Sequence, residues 1–423
     1  MHIRVIIRLA LRNLRRQLRR TVLTASSMVV GGGLLIFSYA LGDGSHESWI
    51  DAGVRTGSGH VTVEGPEFRL TKRIEDRLPT NVRGEVEQLL ASPEMASQVV
   101  AVSARLTISG LASSPAGARP VQIMGVQPID EASFSSFDEQ LVEGRYLEDG
   151  DDLAAYVGVG LMDSLDLRLG SRLVVQAQDA EQEIAAQLLR VVGVFRSGVP
   201  QVDQSVIQIP LHIGSEWLGV GGDVTNVGVV VTDSDTVAGV AARLDNELAD
   251  FVSRGDAYVM DWRESTPALA SAVAIDEFGN HLVWGVLFII IAFGIMNTVL
   301  MSTLHRYREF GVLQALGLTP GQTGAIVLAE GMTLTAVSGF LGVGLGLWLT
   351  WYFFGDGLDV SGLIPEDMEF SGVIIDPVIV PLFRVARLAQ VFVFILAIGA
   401  LASVYPAVRA ARIDTAEAMK FER

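Results

Sequence analysis

Four apolar runs of bilayer-crossing length constrain this 423-residue chain more than any other feature. A helix rises about 1.5 Å per residue, so the hydrocarbon layer takes roughly 20 apolar residues to cross. The runs cover residues 21–42, 281–304, about 323–354 and about 385–408. Charged residues make up 19% of the chain, below the roughly 25% usual in soluble domains. Between the first and second runs lies a stretch of ordinary globular composition, residues 43–278. The expected fold is therefore an α-helical membrane protein with four transmembrane helices, one plus three. A large mixed α/β extracytoplasmic domain is inserted between the first and second.

Charge assigns the sides. Residues 1–20 hold Arg4, Arg8, Arg12, Arg15, Arg16, Arg19 and Arg20 and no acid. The loop after the second run carries His305, Arg306 and Arg308, and the chain closes with Arg409, Arg412, Lys420 and Arg423. By contrast, residues 43–278 hold 16 basic and 37 acidic side chains, a net −21, which leaves +4 for the rest of a chain whose total is −17. Basic flanks mark the cytoplasmic face, so both termini are expected inside and the acidic domain outside, in the periplasm. Arg384 and Arg387 fall at the outer end of the fourth run, against the rule, and the remaining charges outweigh them.

The expected division is then a basic amphipathic cytoplasmic helix at 1–20, spans at 21–42, 279–304, 323–354 and 385–408, and the outer domain at 43–278. A cytoplasmic loop helix occupies 305–322, an outer loop 355–384 and a cytoplasmic tail 409–423. Ile3, Ile6, Ile7, Leu11, Leu14 and Leu18 fall near one helical face, as in a helix lying on the inner leaflet; a solvated basic tail is the plainer alternative. A cleaved signal peptide over 1–42 would need an apolar core longer than the usual stretch of about 7–15 residues.

Alternating runs at 60–64, 121–124, 173–176, 206–209 and 227–231 read as strands, and 82–91, 161–165 and 235–248 as helices. Two lobes are plausible there, one of them built from both ends of the segment. No catalytic constellation emerges. His46-Glu47 lacks the second histidine of a zinc-protease motif, and Asp149, Asp151 and Asp152 lack calcium-loop spacing. The six histidines show no ligand pattern and there is no cysteine, hence no thiolate site and no disulfide. Net negative charge argues against nucleic acid, and no glycine-rich phosphate loop is present. No catalytic, cofactor or metal residue is assigned, and the chain is not expected to be an enzyme.

Within the apolar runs, Gly339, Gly342 and Gly346, with Gly344 nearby, form a thin stripe on the third; Ser27 and Gly31, followed by Gly32 and Gly33, form another on the first. Small residues let helix backbones approach closely in lipid. Glu330, about a turn and a half to two turns into the third run, is costly there unless paired. An interhelical polar contact, with an arginine of residues 1–20 as one candidate partner, fits it better than a proton relay, since a lone carboxylate makes no relay.

The sequence Arg306-Tyr307-Arg308-Glu309-Phe310-Gly311-Val312-Leu313-Gln314-Ala315-Leu316-Gly317 reads as a short helix ending at glycine, with Thr319-Pro320 beyond. It resembles the R-E-x-G-x-L-x-A-L-G signature of the permease family that includes the lipoprotein-releasing LolC/LolE, MacB and FtsX proteins. The stretch Tyr405-Pro406-Ala407-Val408-Arg409-Ala410-Ala411-Arg412-Ile413-Asp414, with Ala416-Glu417-Ala418, is similar to that family's Y-P-A-x-x-A-A-R-x-D-P-x-E-A-L, departing at Thr415 and Met419. Glu330-Gly331, Ser58-Gly59-His60-Val61 and the stretch from Arg119-Pro120 to Gly125-Val126 also look familial.

The resemblance implies a transmembrane subunit of an ABC transporter in a bacterial inner membrane. Residues 306–317 would be a coupling helix seated in a separate ATPase. Arg308 and Glu309 would make its polar contacts, Leu313 and Leu316 its buried face, and Arg306, Gly311 and Gly317 would complete the element. ATP and Mg would be bound by two copies of that partner rather than by this chain, and a second permease subunit, identical or paralogous, would be required. ATP-driven closure would be transmitted mechanically to the outer domain. Release of lipoproteins or other lipid-anchored cargo, with a periplasmic carrier, is the leading expectation, because MacB-type exporters usually carry their own ATPase and FtsX ectodomains are generally smaller. Efflux with a periplasmic adaptor and outer-membrane channel, or FtsX-like signalling to an outside partner, are the alternatives.

Overall fold

The structure is a computed structural model that describes residues 18–359 and 378–414. Most of the expected basic helix at 1–20, the middle of the outer loop and the tail beyond Asp414 lie outside those residues. The described chain divides into two compact units, one of residues 18–46, 275–359 and 378–414, the other of Glu47–Ala274.

The first unit is helical. Its elements are α1 (Leu18–Thr56), α2 (Pro267–His305), the short α3 (Tyr307–Ala315), α4 (Pro320–Phe354) and α5 (Val385–Ala411). All but α3 are long and apolar enough to cross a membrane. Backbone groups in hydrocarbon must be bonded within their own segment, which helices achieve. Both α1 and α2 outrun the spans expected at 21–42 and 279–304. Each has 39 residues, or roughly 58 Å at 1.5 Å per residue, about twice the hydrocarbon thickness. Residues 43–56 contain no proline to stop α1, so it continues past the apolar run.

Polar and aromatic contacts join α1 to its neighbours in this unit. Tyr39 stacks on Trp284 with centroids 3.7 Å apart, and the Trp284 indole donates to Ser38 Oγ at 3.3 Å. His46 Nε2 lies 2.6 Å from Asp276, which also accepts from Asn280. Arg387, which stood against the charge rule, is paired with the buried carboxylate of Asp43 at 3.3 Å.

The second unit is built on a ten-stranded sheet. Its strands are β1 (Val61–Glu64), β2 (Val99–Ser114), β3 (Gly117–Val126), β4 (Leu141–Gly144), β5 (Ala154–Gly158), β6 (Arg172–Gln178), β7 (Ile184–Phe195), β8 (Val206–Pro210), β9 (Asn226–Val231) and β10 (Tyr258–Asp261). The order is β10-β1-β9-β2-β3-β8-β5-β7-β4, with β6 pairing both β2 and β7. The five strands and three helices expected from periodicity all have counterparts. The long β2 and β7 were missed. In β2 alternation fails because residues 103–106 are buried in succession, and β7 begins Ile-Ala-Ala-Gln-Leu-Leu, which reads as helix.

Two lobes meet along β2. Its first half pairs with β9 as far as Arg105↔Asn226, and from Leu106↔Gly125 onward it pairs with β3. The first lobe thus uses β1, β9 and β10 from both ends of the segment. At the changeover, Arg105 and Glu131 are 2% and 0% exposed. The guanidinium grips the carboxylate twice, Nε to Oε2 at 2.8 Å and Nη2 to Oε1 at 2.6 Å. Ser103 Oγ donates to the same carboxylate at 2.7 Å. Arg105 also donates to the carbonyl of Gly57, just beyond the end of α1, and lies over the Phe134 ring. The last turn of α1 adds Arg55, which donates to the Phe134 carbonyl at 3.3 Å. Ile50 and Val54 of α1, with Leu269 and Val273 of α2, belong to the main core of this unit beside Val61, Val229 and Ile207.

Breaking a buried pair by removing one partner leaves an uncompensated charge, at a cost of about 3–5 kcal/mol. Glu131→Ala is expected to lower amide protection along β2 by roughly two orders of magnitude in hydrogen exchange. The double change Arg105→Met/Glu131→Leu, which leaves no orphan charge, should lose far less.

Candidate functional site

The site begins where α2 stops. After His305 the chain turns at Arg306 (φ −104°, ψ 17°) into the nine-residue α3. Gly317 follows at φ +103°, a left-handed conformation that an L side chain resists. Thr319 then caps α4 reciprocally: its hydroxyl accepts from the Gln322 amide while the Gln322 side chain accepts from the Thr319 amide, with Pro320 in the first turn. Both ends of the loop are therefore defined by local chemistry.

A helix of nine residues is not stable alone, and α3 is braced from one side. Phe310 is fully buried, in a cluster with Met28 of α1, Ile295 and Val299 of α2, Ile326 and Leu334 of α4 and Ala407 of α5. Arg306 directs Nη1 to Glu330 Oε2 and Nε to Glu309 Oε2, both at 2.9 Å, and its guanidinium lies over the Phe310 ring. Gln314 donates to Thr323 Oγ1 of α4 at 3.2 Å and to the Ala410 carbonyl of α5 at 3.4 Å. Loop helix and spans are one packed body.

The opposite side of α3 is open. Arg308, Glu309, Val312, Ala315 and Leu316 are exposed, Leu316 at 81%. Their spacing places them along one face. Arg308 has no ion-pair partner among the described residues, whereas Glu309 is engaged by Arg306. The open face is thus basic and apolar together.

The residues singled out from sequence separate into two groups. Arg308, Glu309, Leu316 and Gly317 are exposed, while Arg306 and Gly311 are turned into the bundle. Leu313, expected beside Leu316, packs against the Phe310 cluster, since it lies three residues beyond Phe310 and close to the same face of the helix. Val312 and Ala315 occupy the open face and were missed; counting four and seven residues on from Arg308 would have found them. Glu330 has an interhelical partner in Arg306; the side chains of the arginines of residues 1–20, the candidate named from sequence, lie outside the described residues.

The small-residue stripes meet within the helical unit. A Cβ on Gly346 would lie 2.8 Å from the Gly33 backbone, and one on Gly342 would lie 3.0 Å from the Val29 carbonyl and 3.3 Å from Gly32 Cα. The close crossing of α1 and α4 thus uses Gly32 and Gly33. Gly31 faces Ile291 of α2, Gly339 faces Ile395 of α5, and Gly344 faces open space. Ser27 is exposed and lies more than a turn before this crossing.

Fold and loop together define a four-helix membrane protein with a braced loop helix and a large α/β unit. The MacB-like periplasmic core domain family matches residues 21–247, and the FtsX-like permease C-terminal family matches residues 282–415. The chain belongs to this family of ABC transporter permeases. It is 24% identical over 377 residues to the lipoprotein-releasing system transmembrane protein LolC of Neisseria meningitidis, covering 85% of this chain and 87% of that one. It is 23% identical over 452 residues to the ABC transporter permease YknZ of Bacillus subtilis, covering 98% of each. Against the macrolide export ATP-binding/permease protein MacB of Marinobacter nauticus it is 24% identical over 81% of this chain but only 52% of that longer protein.

The glycine crossing gives a direct test. Backbone cannot yield as a flexible side chain can, so Gly346→Ala must push α1 and α4 apart, at about 1–3 kcal/mol for overpacking. A lower unfolding midpoint in detergent is expected. Gly344→Ala, which meets nothing, should leave the midpoint unchanged.

Proposed function

We propose that this chain is the permease subunit of an ABC transporter in a bacterial inner membrane. It takes mechanical work from a separate ATPase and applies it to cargo on the periplasmic side. The observation that carries the reading is the two-sided loop helix: one face fastened to every span, the other presenting Arg308, Val312 and Leu316. Exposed apolar side chains rimmed by a cation are what a protein partner covers. In this reading α3 is the coupling helix, and two copies of the ATPase bind ATP and Mg. A second permease subunit completes the complex.

Charge supports the orientation. The acidic α/β unit faces outward and the basic ends and loop face the cytoplasm. The α1 and α2 helices are the covalent levers between motion inside and work outside. Their ends lie in the core of the α/β unit, where packed interiors transmit displacement.

Lipoprotein release is the cargo reading we favour, with a lipid-anchored protein as substrate and a periplasmic carrier as recipient. It is supported by similarity to LolC over most of both chains, and by a match to MacB that stops at half of that protein. Efflux through a periplasmic adaptor is the second reading, favoured by the MacB-like core domain match.

Affinity purification of the full chain from its native membrane, followed by mass spectrometry, tests the whole. An ATPase with lipoproteins or a lipoprotein carrier supports release. An ATPase with an adaptor and outer-membrane channel turns the reading to efflux, and no ATPase at all refutes the permease reading. At the residue level, Val312→Asp and Leu316→Asp are expected to cut permease-stimulated ATP hydrolysis about tenfold or more, as loss of an interface hot spot does, with the unfolding midpoint unchanged. Glu309→Lys should lower both, because it also breaks the Arg306 pair.

A further inference from the structure

Within the α/β unit, β1 and the short helix Phe68–Thr71 face β2, β3 and Val206 across a cleft of about 600 Å³. That size falls in the range of small-molecule sites, roughly 300–1,000 Å³. Much of its wall is apolar and close-packed from behind: Phe68, Ile108, Val121, Met124, Phe137 and Val206 all line it and are otherwise buried.

Two charged side chains open onto this cleft from buried positions, and they are treated differently. Arg105 is saturated by Glu131 and the Gly57 carbonyl. Glu64, the last residue of β1, is only 5% exposed, and its Oε1 has no hydrogen-bond partner among the described residues. Lys72 lies on the same cleft, but its ammonium sits over the Phe68 ring at 5.0 Å rather than on the carboxylate. Burial pushes the Glu64 carboxyl above its ordinary range, against the opposing charges of Lys72 and Arg69.

A buried carboxyl without a partner is destabilising, and a positively charged donor relieves it best. The unpartnered carboxylate oxygen favours a cationic donor, and the aromatic walls add attraction for it. We propose that this cleft binds an amphiphilic amine, its ammonium paired with Glu64 and its apolar body against Phe68, Ile108, Val121, Met124 and Phe137. No residue of the loop helix enters the cleft, so this site stands independently of the coupling reading.

The test uses the full chain in lipid nanodiscs, titrated calorimetrically with octylamine, octanol and octanoate, which share one apolar body. Empty nanodiscs of the same lipid are subtracted. Octylamine is expected to bind about tenfold or more tighter than octanol, as a charge-assisted hydrogen bond gives, with octanoate weakest. Glu64→Gln should remove that preference while keeping or raising the unfolding midpoint, since it no longer buries an acid. Lys72→Met should retain or tighten octylamine binding, and Gln122→Trp, which fills the cleft, should weaken it. Equal binding of octylamine and octanol to the wild-type chain would overturn the proposal, as would undiminished octylamine binding to Glu64→Gln or its loss in Lys72→Met. ATP turnover is not the readout, so failure here and failure of coupling are separate results.

Discussion

The guanidinium of Arg306 is the interaction on which the helical unit's inner end depends. It satisfies Glu330, a carboxylate that α4 could not otherwise hold in an apolar setting, and it holds Glu309 and the Phe310 ring at the same time. One side chain therefore removes an electrostatic cost from a span and sets the orientation of a loop helix too short to persist alone. The open face of α3 exists as a defined surface because its other face is held in this way.

From that point the packing is continuous. The Phe310 cluster draws residues from α1, α2, α4 and α5, and the glycine crossing of α1 and α4 lets two backbones touch without side chains between them. Such contacts have little slack, because interiors are packed near crystal density and displacement of one element is felt by its neighbours. The α1 and α2 helices then run on beyond the length a bilayer requires, and their far ends are anchored by Ile50, Val54, Leu269 and Val273 in the core of the α/β unit.

What could be read from the chain beforehand follows the range of the interactions involved. The apolar runs and the glycine after α3 are local signals, and they located the four long helices and the loop helix. Helices run past the expected spans where tertiary burial takes over: α1 passes residue 42 because Ile50 and Val54 find a core further on, which no local pattern announces. Likewise β2 hides its strand character because it is buried on both faces where two lobes meet. In the loop, the resemblance gave Leu313 to the partner-facing side and grouped Arg306 with the coupling element, yet a cation and a leucine serve equally well as braces. Only the position of Glu330 and of the Phe310 pocket decides between the roles, and both are long-range facts.

The α/β unit shows the same logic with charge. Arg105 and Glu131 are buried together at the changeover from β9 pairing to β3 pairing, and each of their polar atoms that lies inward has a partner. A pair so complete adds little net stability over an apolar substitute, but it specifies geometry, since only one arrangement of the two lobes and the end of α1 satisfies it. Glu64 does the opposite. An acid buried without a partner specifies nothing within the fold and destabilises it, at a place where Phe68 and Val121 could have been joined by another apolar side chain. Residues that weaken the resting fold while facing an open cleft are better understood through what enters the cleft than through the fold itself. On that argument the two buried charges divide the unit's tasks: Arg105 fixes how the lobes meet, and Glu64 keeps a place between them for a cation.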